Sequence, residues 1–244
     1  MTANAVGNVL GILRLLRSGN YGNPIFNHVS DWCGGPIDPI KVAKVCGYVL
    51  ENAFAAETQI QLSQLSDEAK AGLLQTVDSL KQAFLFNQMN NSLQHYFPAL
   101  DASISSFAIL VSASGLSEGL ANAAEIDELV TDIEVAYANL DQMDLHPLVR
   151  ETAKRHIAVL VTLLKNAQSL GVDAAMAAYF ELMIHLKRAE QAKPTNEKAT
   201  DSAFWNTLKE WGSRLTTISD ITDKGGSLLA HADKVVPLLQ NFIA

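Results

Sequence analysis

The sequence predicts an all-α protein, a bundle of about seven or eight helices with one long irregular segment near its N-terminus. Three observations predict this class. Apolar residues recur every three or four positions along most of the chain, and no stretch alternates as a strand does. Good helix formers, above all Ala, Leu, Gln, Glu and Lys, supply much of the composition. The 14 glycines and 7 prolines among the 244 residues cluster between the helical stretches.

In the first half of the chain, the predicted helices have recognisable start and stop signals. A short first helix stops at a Ser-Gly-Asn sequence, and residues 18–39 then lose their periodicity. The second helix begins at Pro39, a residue favoured in the first helical turn, and its predicted buried stripe includes Phe54. The third begins after Ser66, whose hydroxyl can cap it, and its apolar spacing continues to Pro98.

In the second half, charge separates two neighbouring helices. The helix predicted over about 118–143 is acidic on its polar face, and the helix that begins at Pro147 carries four basic residues. We therefore expect an antiparallel hairpin with exposed ion pairs, each contributing a few tenths of a kcal/mol. Gly171 is well placed to end a helix in a left-handed conformation. Residues 101–114 are compatible with either a helix or an extended segment.

The predicted core and domain organisation follow from the most apolar and the most polar stretches. Residues 157–164 and 173–189 are apolar on most of their circumference, so we place the core there. Residues 1–192 are then a helical bundle and residues 193–200 a polar linker. The remaining residues, 201–244, form a C-terminal helical pair packed on the bundle.

Charge and composition exclude several classes of function. With 18 basic and 26 acidic residues the net charge is −8, so a massed basic surface for nucleic acid is not expected. The apolar run near the N-terminus is interrupted by Arg14, unlike a secretory signal, and no 18-residue apolar stretch is present. Cys33 and Cys46 are too far apart for a metal-binding pair, and we interpret them as reduced thiols of a cytoplasmic protein. No cofactor is expected.

The most informative stretch is a charge-depleted segment, residues 82–117, which contains one charged residue, Asp101. At the chain average of 18% charged, about six would be expected in these 36 positions. The segment could be buried, docked on a partner, or able to enter a membrane. Six neutral amide and hydroxyl side chains between residues 87 and 94 favour a docked surface, because each needs a hydrogen-bond partner if buried.

The sequence therefore predicts a non-catalytic interaction or regulatory protein that docks a protein partner or a second copy of itself. Interface cores retain aromatic residues and Met while losing charge. The predicted interface residues are Phe84, Phe86, Met89, Tyr96 and Phe97, with Phe26 and Trp32 beside them.

An alternative function is a membrane-active helical effector that uses residues 102–117. These sixteen uncharged positions would span about 24 Å as a helix, at a rise of 1.5 Å per residue. That is shorter than the roughly 30 Å hydrocarbon core of a bilayer, so a hairpin or small tongue would be needed. Membrane contact is possible on this interpretation but is not the favoured one.

A second alternative rests on the spacing of Arg150 and His156 in the stretch RETAKRH. In an all-α protein this spacing resembles the Arg–His signature of HEPN-type ribonucleases. The resemblance covers these seven residues and implies that the pair would support attack of a ribose 2′-hydroxyl on the phosphate. Glu151 departs from the neutral or Asp neighbour usual in that family. The structural interpretation is a solvated helix face paired with the preceding acidic helix.

Two further clusters have both a chemical and a structural interpretation. One acidic cluster lies on a single helical face, at Glu125, Glu128 and Asp132. We expect no metal there, because di-metal bundles use Glu-x-x-His motifs, which the chain lacks. The other cluster lies in the irregular segment, at His28, Asp31 and Cys33. It could be a nucleophile with a base, a ligand site, or a loop that covers the core.

Overall fold

The structure, a computed structural model, describes residues 4–35, 38–113, 123–194 and 202–222. Within these residues eleven helices and no strand are present, which confirms the predicted all-α, multi-helix class. The helices are α1 (Ala5–Ser18), α2 (Ile25–Trp32), α3 (Pro39–Leu62), α4 (Asp67–Ala83), α5 (Leu93–Tyr96), α6 (Leu100–Ala113), α7 (Ala123–Asn139), α8 (Pro147–Lys165), α9 (Ala167–Leu170), α10 (Val172–Gln191) and α11 (Ser202–Thr222). Two of them, α5 and α9, are single turns of four residues each.

The predicted helix starts are confirmed together with their caps. Pro39 is the first residue of α3, and the Asp38 carboxylate accepts from the N–H of Ile40 at 2.9 Å. The Ser66 hydroxyl accepts from the N–H of Ala69 at 3.3 Å and begins α4. Such caps satisfy N–H groups that have no partner inside a helix.

Gly171 ends α9 and leads directly into α10. Its φ is +85°, a region that L side chains rarely adopt, and its N–H bonds to the carbonyl of Ala167 at 2.9 Å. A Cβ atom at this position would lie 2.6 Å from the Asn8 side-chain nitrogen. Glycine is therefore favoured here by its backbone conformation, and a larger residue would also have to displace the Asn8 side chain.

Two sequence predictions need correction. The third predicted helix does not continue to Pro98, since α4 ends at Ala83 and a series of turns leads to α5. The backbone of these turns bonds to the N-terminal segment instead of continuing the helical ladder. Residues 18–39 are not irregular throughout, because α2 forms within them. This helix is only eight residues long and buries Ile25 and Val29, so its periodic signal is short.

The core is one continuous apolar cluster. As predicted, α8 and α10 pack against each other at its centre and bury most of their apolar residues. The prediction omitted α1, which buries seven residues against α3, α6 and α9. Burial from several directions is a tertiary effect that the spacing of a short helix does not reveal.

The helix α11 packs on α10 and α7. The Tyr179 hydroxyl donates to the carbonyl of Leu208 at 2.9 Å, and an apolar stripe of α11 is buried there. The stripe consists of Phe204, Leu208, Trp211, Leu215 and Ile218. Most of the predicted linker and the predicted final helix, 195–200 and 223–244, lie outside the described residues. Among the helices that are described, none is long and apolar enough to cross a membrane.

Candidate functional site

The charge-depleted segment and the irregular segment are each other's partners. Residues 20–32 and 84–97 meet along what we call the N-terminal junction. Four backbone hydrogen bonds of 2.9–3.3 Å join them, from Phe26 N to Met89 O, Ile25 N to Asn91 O, Leu93 N to Asn23 O and Gln94 N to Tyr21 O. The low charge of the first part of the segment is therefore explained within the molecule, because this backbone packs against the chain itself.

Side chains complete the N-terminal junction. The rings of Trp32 and Phe84 stack with their centroids 6.1 Å apart, and the Tyr21 hydroxyl donates to the carbonyl of Phe97. Three predicted interface residues, Phe84, Met89 and Phe97, are at most 2% exposed. They belong to the core and line no external surface in this structure.

The remaining predicted interface residues lie closer to solvent. Phe26, Trp32 and Tyr96 are half-buried against the core, and the first two lie beside the charge-depleted segment, as expected. Phe86 is 76% exposed although Phe84 and Met89, on either side of it in the sequence, are buried. The structure therefore brings most of the predicted set together, but as an internal contact with one projecting ring.

The neutral polar side chains of the turn satisfy one another. The Asn91 amide donates to the Gln88 side-chain oxygen at 3.0 Å and to the Tyr96 hydroxyl at 2.8 Å. The same hydroxyl donates to the Gln88 carbonyl at 3.0 Å. Asn87 and Asn90 are exposed. The network fixes the turn that carries Phe86 without using a charged group.

Phe86 is one of three exposed apolar side chains on α3 and in the turn after α4, Phe54, Leu85 and Phe86, which we call the apolar rim. Their exposed fractions are 56%, 40% and 76%. The Lys81 ammonium lies 5.3 Å from the centroid of the Phe54 ring, which connects α3 to the end of α4. The prediction that Phe54 is buried is wrong, because α4 covers the neighbouring face of α3 and leaves this ring outside.

An open groove of about 620 Å³, the amide groove, lies between α4 and α5. Its polar lining includes Gln75, Asp78, Gln82, Gln88, His95 and Tyr96. Gln82 and Gln88 lie just before and just after the turn that carries Leu85 and Phe86, so the groove and the apolar rim adjoin. Neutral amides both donate and accept hydrogen bonds. The groove can therefore bind a polar, hydrogen-bonding ligand such as a peptide backbone.

The charge beside the apolar rim is slightly negative. Lys81 lies 2.6 Å from an Asp78 oxygen and 3.1 Å from a Glu57 oxygen. One cation between two carboxylates leaves a local charge of −1. Burial opposes protonation of Lys81, but its hydrogen bonds to Asp78 and Glu57 raise its pKa above the usual value. The lysine is therefore a fixed cation, already paired.

Arg150 and His156 contact different neighbours. The Arg150 guanidinium donates to the carbonyls of Met143 and Leu145 at 3.0 and 3.2 Å and thereby closes the connection between α7 and α8. The His156 ring stacks on His185 of α10. Neither contact is the shared groove that cleavage of a ribose–phosphate backbone would require.

Two of the three residues of the cluster in the irregular segment are buried, and the third, Asp31, is exposed. His28 and Cys33 are 3% and 4% exposed, and burial raises the pKa of the Cys33 thiol to about 11. A thiol that stays protonated at neutral pH is a poor nucleophile. This environment favours the interpretation that the segment covers the core.

Two residues of the acidic cluster on α7, Glu128 and Asp132, face the same arginine. Arg214 of α11 pairs with Asp132 and lies 4.0 Å from a Glu128 oxygen. Over the described ranges, no group of three His, Cys, Asp or Glu side chains is arranged to hold a metal ion.

The helix α6 contains most of the stretch considered for membrane entry. It is helical rather than extended, and it buries Phe107, Leu110 and Val111 against the bundle while Ile109 is 70% exposed. Residues 114–117 lie outside the described residues.

Comparisons with protein-family models, with curated proteins and with solved structures found no match. Function is therefore inferred from the chain's own geometry. Sequence reasoning missed the amide groove and the stack of His156 on His185. The sequence does not show that the polar residues at 75, 82 and 88 share a surface, because the turn after Ala83 brings residue 88 back to the groove.

Proposed function

We propose that the protein is a non-catalytic helical interaction protein that docks a protein partner through the apolar rim and the adjoining amide groove. The observation that carries this proposal is Phe86. An aromatic ring that is 76% exposed, in a turn held by an internal hydrogen-bond network, is the kind of anchor that interfaces use. The proposal keeps the predicted function. From the predicted interface residues it retains Phe86 and Tyr96, and it adds Phe54 and Leu85, which were not predicted to be part of the interface.

The chemistry of the surface indicates the chemistry of the partner. The apolar rim fits an apolar side chain, and the glutamines of the amide groove fit the N–H and C=O groups of a peptide backbone. Asp78, Glu57 and Lys81 together carry a net charge of −1, which favours a basic residue beside that apolar side chain. In a contact between two copies of the chain, the two negatively charged groups would repel each other. We therefore propose a basic segment of a different protein as the partner. The buried free thiols Cys33 and Cys46 suit the cytoplasmic setting that we propose for this contact.

The test compares two exposed apolar residues in different places. Phe86→Asp places a charge in the apolar rim, and Val135→Asp, at a residue of α7 that is 58% exposed, is the matched control. Full-length protein is cross-linked in cell extract, and cross-linked peptides are identified by mass spectrometry. We expect a partner that is bound by the wild type and by Val135→Asp, is lost with Phe86→Asp, and has its cross-linked lysine next to an apolar residue.

Two results would contradict the proposal. Equal loss of the partner with both variants would show that exposed apolar surface acts without specificity. Cross-links joining the apolar rims of two copies, together with a dimer in light scattering that Phe86→Asp dissociates, would assign the surface to self-association.

A further inference from the structure

Two histidines meet face to face between the two central helices. His156 of α8 and His185 of α10 stack with ring centroids 4.4 Å apart and planes 17° from parallel. His156 is half-buried and His185 is exposed, so the stack lies at the edge of the α8–α10 contact, where protons can reach it. We call this pair the histidine stack.

Charged groups from three helices face the histidine stack. Glu181 lies one turn before His185 on α10, and the Lys44 ammonium of α3 donates to one of its oxygens at 2.6 Å. Arg155 precedes His156 on α8. The electrostatic influences on His156 come from His185, Glu181, Lys44 and Arg155. Of these charges, three are or can become positive and one is negative.

The arrangement is unsuited to a shared metal ion. The lone pairs of an imidazole lie in the plane of its ring, so two nearly parallel, stacked rings direct their nitrogens along separate planes. A histidine ligand needs the metal near that plane, at about 2.0 Å from the nitrogen. The rings would both have to rotate out of the stack before they could chelate.

The stack is instead stable when at most one of its two rings is protonated. Two neutral rings, or one neutral and one protonated ring, can lie face to face, but two protonated rings place like charges about 4.4 Å apart. Burial lowers the pKa of His156, and His185, Lys44 and Arg155 lower it further, while Glu181 opposes them. Burial and the surrounding cations therefore both disfavour a second proton.

We propose that the histidine stack is an acid-sensitive contact that holds α8 against α10 near neutral pH and separates when both rings are protonated. Glu181 couples this contact to α3. A protonated His185, four residues further along the helix, offers Glu181 a second cation and competes with Lys44. Acid thus weakens both the contact between α8 and α10 and the ion pair between α3 and α10.

The first measurement follows the histidine ring signals of the full chain by NMR between pH 8 and pH 5. We expect the pKa of His156 in the wild type to lie below the ordinary histidine value of about 6.5, because of burial and then of the neighbouring His185. In His185→Gln, we expect His156 to titrate in a single step at a higher pH than in the wild type. Identical titration of His156 in both proteins would overturn the proposal.

The second measurement compares the melting temperatures of the wild type and His185→Gln at each pH. At pH 8 we expect the variant to melt lower by about 1–4 °C, the range for one aromatic contact in a chain of this size. At pH 5.5 we expect the variant to melt at the same temperature as the wild type or higher, because it has lost the repulsion. His95→Gln, an exposed histidine outside this contact, is the control and should show no such reversal. An equal loss at both pH values would reduce the stack to ordinary packing and overturn the proposal.

Discussion

The N-terminal junction and the α7–α8–α11 region are held together by different kinds of contact. At the junction, residues 20–32 and 84–97 meet through backbone hydrogen bonds, stacked rings and apolar burial. In the second region, exposed ion pairs join neighbouring helices. They are Lys154 with Asp141, Lys165 with Glu134, and Arg214 with Asp132. Neutral contacts need burial and exact geometry to be effective, whereas exposed ion pairs tolerate movement and contribute little each.

This comparison explains why the charge-depleted segment looks like an interface. An internal contact made by a segment without a continuous helix buries neutral side chains and aromatic rings, as the core of an interface does. Its composition therefore predicts a contact surface but does not distinguish an internal contact from a contact with another molecule. Phe86, an exposed side chain of this segment, is the part that we propose for binding another molecule.

The largest expected effect breaks the N-terminal junction at its centre. Phe84→Ala removes a ring that is 1% exposed and stacked on Trp32, and we expect it to lower the free energy of unfolding by about 3–5 kcal/mol. Phe86→Ala is the matched control, two residues away and 76% exposed, with an expected change within about 0.5 kcal/mol. Urea unfolding measures both. Similar losses for the two variants would mean that the junction does not stabilise the fold as described.

The next effect concerns a buried amide between α1, α3 and α9, which lies outside both regions. Asn52 of α3 is 2% exposed, accepts from the Asn8 amide at 2.8 Å, and donates to the carbonyls of Tyr48 and Leu170. Asn52→Ala leaves buried polar groups of α1 and α9 without this partner, so we expect a loss of about 1–3 kcal/mol in urea unfolding. Gln61→Ala, an exposed amide on the same helix, should change stability far less. A loss no larger than that of the control would show that water replaces the amide.

The helices were largely predictable from the sequence, and the reason is local. Pro39, Ser66 and Gly171 act within a few residues of their own position, so their signals survive without tertiary information. The predicted charge pairing is also found, between Lys165 of α8 and Glu134 of α7 and between Lys154 of α8 and Asp141 just after α7. It could be predicted because the acidic and the basic residues fall in two neighbouring stretches of the sequence.

The candidate site was only partly predictable, because its geometry depends on distant pairing. Phe84 is buried and Phe86, two positions later, is exposed, and no periodicity in the sequence distinguishes them. The difference arises from hydrogen bonds to residues about 65 positions earlier in the chain, such as that from Phe26 to Met89 (89 − 26 = 63). The exposure of Phe54 likewise depends on how α4 crosses α3.

A pH titration tests one imidazole in each region, the buried His28 and the half-buried His156. Burial lowers the pKa of His28, against a backbone hydrogen bond to Asn20 and the charge of Asp31, and burial also lowers that of His156. The unfolded chain therefore binds these protons at a higher pH than the folded chain. The contribution of these two histidines to the free energy of unfolding should be fully present above the ordinary histidine pKa of about 6.5, and it should fall as the pH decreases below that value.

Urea unfolding at intervals from pH 8 to pH 5 measures this slope. We expect His28→Gln and His156→Gln each to flatten it, with His28 reporting on the N-terminal junction. The His95→Gln variant should retain the wild-type slope, since this ring is exposed. A slope that neither buried variant alters would assign the acid sensitivity to the carboxylates.

The smallest expected effect breaks one ion pair of the second region. Lys165 and Glu134 lie 2.6 Å apart, with about half of each side chain exposed, and join α8 to α7. Lys165→Gln should lower the free energy of unfolding by about 0.2–1 kcal/mol at low salt, and the difference should shrink in 1 M salt, where the Debye length is about 3 Å. Lys209→Gln, an exposed lysine of α11, is the control. A loss that persists unchanged in 1 M salt would mean that Lys165 acts through the packing of its methylene groups, so that this region, like the N-terminal junction, depends on buried apolar surface.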